Sequence, residues 1–181
     1  MPSPTYAGDA PRGAPHPETT AIDVVAIREL AARFEHTPGG LLPALHAVQD
    51  RYGHIPRDAV PAIAEVFNLS RAEVHGVVTY YHHFRSEPAA RHVVQVCRAE
   101  ACQSMGGNAL MAHARLRLGC AADGHHGRSA DGRVTLEPVF CLGLCASSPA
   151  MSIDGELHAR MTPARFDALL AETVAATEAV R

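Results

Sequence analysis

The sequence predicts an α+β chain: a bundle of short helices over residues 21–86, then a two-layer unit over 87–181 with the order β-α-β-β-β-α. Three observations predict it. Apolar residues recur at three- and four-residue spacing as far as Tyr81, and then at a spacing of two from His92. An Asp154-Gly155 pair separates two short strand-like runs. Two pairs of cysteines follow the ends of two predicted strands.

Taken in order, Met1 to about Thr20 is Pro, Gly, Ala and Thr with almost no large apolar residue. It cannot bury enough surface to offset the entropy of ordering, so a flexible tail is expected over 1–20. Val24, Ile27, Ala31 and Phe34 mark the inner face of a first helix, with Thr20 and Asp23 at its start and Pro38-Gly39-Gly40 after it. Leu41, Leu45, Val48 and Tyr52 mark a second helix that stops at Gly53. The third begins near Asp58, because Pro61 is tolerated only in a first turn, and turns Val60, Ile63, Ala64 and Phe67 inward. Ser70 and Glu73 form a capping box for the fourth, stapled by Leu69 and Val74. Its buried face is expected to carry Val74, Val77, Val78 and Tyr81, and Gly76 to mark a close approach by another helix or a partner. The expected bundle core is Val24, Leu45, Ile63 and Val77.

Beyond Pro88, His92–Val96 reads as a strand and Ser104–Leu118 as a helix closed by Gly119. Arg133–Phe140 is a second strand, which Pro138 confines to an edge or ends early. Ala150–Ile153 and Glu156–Met161 form a hairpin about Asp154-Gly155. Thr162 caps a last helix with Pro163 in its first turn and Phe166, Leu169, Leu170 and Val174 inside.

The formal charge of −3 offers no sequence-independent grip on nucleic acid. No apolar run approaches membrane-spanning length and the N-terminus lacks a signal-peptide core, so a cytoplasmic protein without direct membrane insertion is expected. In that compartment thiols stay reduced, and five cysteines read as metal ligands or redox groups rather than disulfides. Cys97 and Cys102 form C-x4-C; Cys141 and Cys145 form C-x3-C. Four thiolates are the ligand set of a structural zinc and of a 2Fe-2S cluster alike. The wider first spacing spans a two-iron unit more naturally than the tight turns that zinc prefers.

The segments VCRAEACQSMGG (96–107), VFCLGLCASSPA (139–150), LHAVQDRYGHIP (45–56) and LSRAEVHGVVTYYHHF (69–84) resemble the thioredoxin-like 2Fe-2S ferredoxin subunits of NAD-linked electron-transfer complexes. That family includes the E-type subunit of NADH-quinone oxidoreductase and the gamma subunit of soluble NAD-dependent, molybdenum-containing formate dehydrogenase. The wording CRAEACQ (97–103) is most similar to the latter. The resemblance spans about residues 22–175. It implies a thioredoxin-like domain over 87–181, with Cys97 and Cys102 on one iron and Cys141 and Cys145 on the other. It further implies an electron-transfer subunit without a catalytic site of its own. The sequence has no G-x-G-x-x-G, so FMN, NAD, the molybdenum cofactor and further iron-sulfur clusters are expected on partner chains: a flavin/NAD-binding subunit and a molybdenum-containing catalytic subunit. The equivalent subunits of complex I and of an NAD-linked hydrogenase are the alternatives within the family. Gly106, Gly107 and Gly143 are expected to let backbone N–H groups approach the sulfides, raising the potential, and Glu100 to lower it.

Cys120 matches no position of that pattern and is expected to be a bystander. His82-His83 and His125-His126 are adjacent pairs, ill placed to chelate one ion, and read as surface or packing residues. Residues 62–80 also resemble a helix-turn-helix, which raises a redox-sensing DNA-binding regulator; one Arg and one Glu at the start of its second helix make a poor basic surface.

Overall fold

The computed structural model describes residues 21–120 and 127–178, so the tail expected over 1–20 and the His125-His126 pair lie outside the described residues. The chain divides into two compact units, one ending at Ala89 and the other beginning at Ala90.

The helical unit holds α1 (Val24–Ala32), α2 (Leu41–Tyr52), α3 (Ala59–Val66) and α4 (Arg71–Tyr80). Asp23 caps α1, its carboxylate accepting from the amides of Val25 and Ala26, while Thr20 lies outside the described residues. The helix therefore starts at Val24, whose first-turn side chain is 38% exposed and not the core residue the spacing predicts. Gly53 ends α2 with a left-handed φ of 76°, and Pro61 sits in the first turn of α3 as expected. The Ser70–Glu73 capping box is complete. Because α4 stops at Tyr80, Tyr81 turns extended and lies 43% exposed, correcting its expected burial; Phe84 fills the core in its place. Val77 is only half-buried, and a Cβ at Gly76 would meet open space, so no other helix among the described residues approaches it. Leu45 and Ile63 are fully buried, packed with Ile27, Val48, Ile55 and Val74. Gln49 ties the end of the unit down: its amide donates to the His83 carbonyl and accepts from the Arg85 N–H.

The second unit contains β1 (His92–Cys97), α5 (Glu100–Ser104), α6 (Gly107–Leu118), β2 (Gly127–Arg128), β3 (Val134–Val139), β4 (Met151–Ile153), β5 (Glu156–His158) and α7 (Pro163–Glu178). The mixed sheet has the order β2-β3-β1-β4-β5, with β1 and β3 parallel. The helix expected from Ser104 is two helices, because Gly106 takes a φ of 98° that breaks the run. The two-residue β2 has no sequence signal. It pairs with Thr135 and Leu136, and among the described residues Pro138 has no ladder partner on the outer side of β3. Asp154 and Gly155, at φ 50° and 85°, make the turn of the β4–β5 hairpin. The Asp154 carboxylate also accepts from the Val93 amide and pairs with His92 Nδ1 at 2.7 Å, fastening the hairpin to β1. Thr162 caps α7, and Phe166 anchors it to Val94, Val96, Leu136 and Met151. Among the described residues no helix is long and apolar enough to cross a membrane.

Candidate metal centre

Parallel pairing of β1 and β3 places Cys97 opposite Val139 at adjacent strand ends. The two segments that leave those ends, 98–102 and 140–145, therefore start side by side, although they are distant in sequence. The carboxyl ends of parallel strands are where open α/β sheets present their binding loops. Two backbone bonds join the segments to the sheet: the Arg98 amide donates to the Val139 carbonyl at 2.7 Å, and the Cys97 amide to the Ala150 carbonyl at 3.0 Å.

Cys97 and Cys102 are each only 2% exposed and form a small apolar cluster with Ala150, flanked by Val139, Leu142 and Leu144. Cys102 rides on α5 rather than in the loop that the sequence suggests. Gly107 explains how α6 can begin so close to Cys97 and Cys102. A Cβ there would meet the Cys102 carbonyl oxygen at 2.7 Å and that of Cys97 at 3.1 Å. The glycine is thus a packing requirement, beyond the amide access the sequence argument assigned to it. Cys141 and Cys145 are exposed, with Sγ atoms 3.9 Å apart, and Cys145 opens a 3-10 turn that runs to Ser147. Cys141 has a φ of 128°, and the Gly143 amide approaches its sulfur at 3.3 Å.

The thiols thus stand as two pairs. Burial pushes Cys97 up from the ordinary thiol value, against the backbone amides of Ala99 and Leu142. Burial pushes Cys102 the same way, yet hydrogen bonds from Ser148, Cys97 and the Ala150 backbone outweigh it and leave this thiol below its usual value. Cys145 is raised by the hydrogen bond and charge of Cys141, and the charge of Cys102 reaches it as well, so the pairs feel one another. No three ligand-type side chains among the described residues converge on a single ion position. Tetrahedral thiolate coordination at about 2.3 Å puts two sulfurs of one metal about 3.8 Å apart, and the outer pair matches that edge. Arg98, next to Cys97, keeps its Nε buried without a hydrogen-bond partner.

Cys120 lies apart from this arrangement, half-buried against the sheet core, with its Cβ and Sγ close to Gly127. Burial raises its thiol, partly opposed by Arg115. Two functional elements escape sequence reasoning: the short helix that carries Cys102, and Ser148, whose hydroxyl lies 3.5 Å from Cys102 Sγ. The Met105-Gly106-Gly107 break and the polar Ser147-Ser148 step after Cys145 are the signals that could have found them.

A family profile for the thioredoxin-like 2Fe-2S ferredoxin matches residues 27–174. The chain belongs to that family. Curated relatives agree in length as well as sequence. The NADH-quinone oxidoreductase E subunit 2 of Rhizobium meliloti is 33% identical over 154 residues, 85% of this chain and 89% of that protein. The corresponding E subunit of Pseudomonas aeruginosa is 35% identical over 130 residues, covering 72% of this chain and 76% of that one. The E subunit of Escherichia coli K12 is 33% identical over 154 residues, covering 84% and 90%. Among solved structures, an NAD+-reducing NiFe-hydrogenase in the air-oxidized state superposes with a TM-score of 0.59 at 28% identity, covering 75% of this chain. The match spans 23% of that hydrogenase chain.

Proposed function

We propose that Cys97, Cys102, Cys141 and Cys145 hold one 2Fe-2S cluster, the first two on one iron and the last two on the other. The chain then serves as a one-electron carrier in an NAD-linked oxidoreductase. The observation that carries this reading is the parallel β1–β3 register, which starts both cysteine segments from neighbouring strand ends. The arrangement in two pairs, with no three ligand-type side chains among the described residues gathered about one ion position, suits two irons better than one zinc.

When bound, such a cluster supplies one-electron transfer and cannot itself exchange a hydride. The residues around it do the rest. Val139, Leu142, Leu144 and Ala150 keep water from the inner pair, and the Gly143 amide offers a hydrogen bond to the outer one. Flavin and nicotinamide chemistry belongs to a flavin/NAD-binding partner chain. The CRAEACQ segment favours a cytoplasmic formate dehydrogenase as the parent complex, with a molybdenum-containing catalytic subunit and further iron-sulfur clusters beside it. The NADH-quinone oxidoreductase relatives favour the second reading, the equivalent subunit of complex I, and the hydrogenase match a third.

Purified protein is expected to be red-brown, with about two irons and two acid-labile sulfides per chain and a rhombic S = 1/2 signal on reduction. Colourless protein carrying one zinc refutes the cluster. Native co-purification decides the parent: a molybdenum subunit selects formate dehydrogenase, and quinone-site membrane subunits exclude it. Sequence-specific, salt-sensitive DNA binding would instead support the regulator.

A further inference from the structure

We propose that the Ser148 hydroxyl donates a hydrogen bond to the sulfur of Cys102 in the cluster-loaded chain, and that this bond raises the reduction potential of the centre. The proposal rests on the reading of Cys102 as a cluster ligand. Its argument begins with proton counting. Ser148 Oγ lies 3.5 Å from Cys102 Sγ and 2.8 Å from the Cys145 carbonyl oxygen. With Cys102 as a thiol, both contacts are satisfied: the S–H donates to Ser148 Oγ, and the Ser148 O–H donates to Cys145. A metal-bound thiolate has no proton to give. The contact with sulfur then persists as a hydrogen bond only if Ser148 turns its own proton toward it. Rotation about Cβ–Oγ achieves this with no movement of the chain.

The surroundings favour that turn. Cys102 is buried, so bulk water does not compete for its lone pairs. The backbone on both sides of Ser148 is pinned. The Ser147 amide donates to the Leu144 carbonyl, the Arg160 amide to the Ser147 carbonyl, and the Met161 amide to the Pro149 carbonyl. The exposed Cys145 carbonyl segment can take water in place of the hydroxyl; the buried sulfur cannot. A donor to an anionic acceptor is the stronger of the two bonds.

One electron entering the centre adds one negative charge, shared with the sulfurs; no ligand leaves and Ser148 keeps its proton. A hydrogen bond to sulfur therefore favours the reduced form and lifts the potential. Ser148 is accordingly a positioning residue, tuning the centre through its ligand. Its loss is expected to disfavour reduction about tenfold, which for one electron is a shift of about 59 mV to more negative potential.

The test uses the full chain, reconstituted with iron and sulfide and titrated under EPR detection. Ser148→Ala and the shape-matched pair Ser148→Thr and Ser148→Val are compared with the wild type. We expect the Thr variant to keep the wild-type potential and the Ala and Val variants to fall together. Electron–nuclear double resonance on the reduced protein in D2O should lose one exchangeable deuteron coupling in the Val variant and retain it in the Thr variant. Equal potentials in the Thr and Val variants, or an unchanged deuteron pattern, overturn the proposal. Should the Ala variant fail to load, the Thr and Val pair still decides. A wild-type protein that binds zinc, or no cluster at all, defeats the functional reading itself, whereas a loaded wild type with insensitive variants defeats only the role of Ser148.

Discussion

The helical unit closes its core with Ile27, Leu45, Val48, Ile63 and Val74, drawn from all four of its helices and containing no cysteine. The second unit has a comparable core between its sheet and α6 and α7, but at the ends of β1 and β3 this gives way to a separate cluster built on Cys97, Cys102 and Ala150. Apolar burial alone suffices for the first unit. In the second it reaches the inner pair of cysteines and stops short of Cys141 and Cys145, whose order depends on backbone ties and, in our reading, on metal. The lesson is that one chain can hold a metal-independent fold beside a metal-dependent rim, and that each should fail under different perturbations.

The largest expected effect tests the rim. Replacing Cys97, Cys102, Cys141 or Cys145 by Ser exchanges thiolate for a harder, poorly ionised oxygen, and each change should strip or distort the cluster, seen as loss of iron and of the visible spectrum. Cys120→Ser should leave both unchanged. If it bleaches the protein while one of the other four is silent, the ligand set is wrong. The converse experiment empties the other core. Leu45→Ala or Ile63→Ala should destabilise the helical unit by about 2–5 kcal/mol in chemical denaturation and leave the iron content as it was. At the seam between sheet core and rim, Gly107→Ala drives a methyl into the Cys102 and Cys97 carbonyls. A cost of about 1–3 kcal/mol in the second unit is expected, with a shifted cluster spectrum. Ser70→Ala removes half of the capping box and should cost about 1 kcal/mol in the helical unit alone.

Acid gives the gentlest test, because among the described residues each unit carries an exposed carboxylate held below its usual range. The Ser70 backbone and hydroxyl lower Glu73, and the Ser129 hydroxyl with the Arg133 backbone and side chain lowers Asp131. A depressed carboxylate stabilises the fold above its unfolded value, and the contribution disappears as pH falls through the lower folded value. Amide exchange should accelerate at the start of α4 and in the β2–β3 turn only below the ordinary carboxylate range. Acceleration near neutral pH would contradict the assignment.

Much of this was legible in the residues. Period switching located the boundary between helices and strands, Asp154-Gly155 its hairpin, and Ser70 with Glu73 its cap. The exceptions share a cause: a side chain's fate was decided by where an element ends, which periodicity does not report. Val24 and Tyr81 flank helix termini, so neither enters the core. At the site, the pairing of the cysteines along the chain was plain. The proximity of the pairs comes from a parallel register set by tertiary packing, and the role of Ser148 from a distance that no spacing rule encodes.

The unequal exposure of the two cysteine pairs has a practical side. Cys141 and Cys145 are exposed with sulfurs 3.9 Å apart, while Cys97 and Cys102 are buried. A disulfide needs those sulfurs at about 2.0 Å, a short closure for side chains on an exposed loop. In protein stripped of metal, air should therefore oxidise the outer pair first, leaving a chain unable to take up iron until a reductant reopens it. Storage history, more than sequence, will then decide how much of a preparation can be loaded.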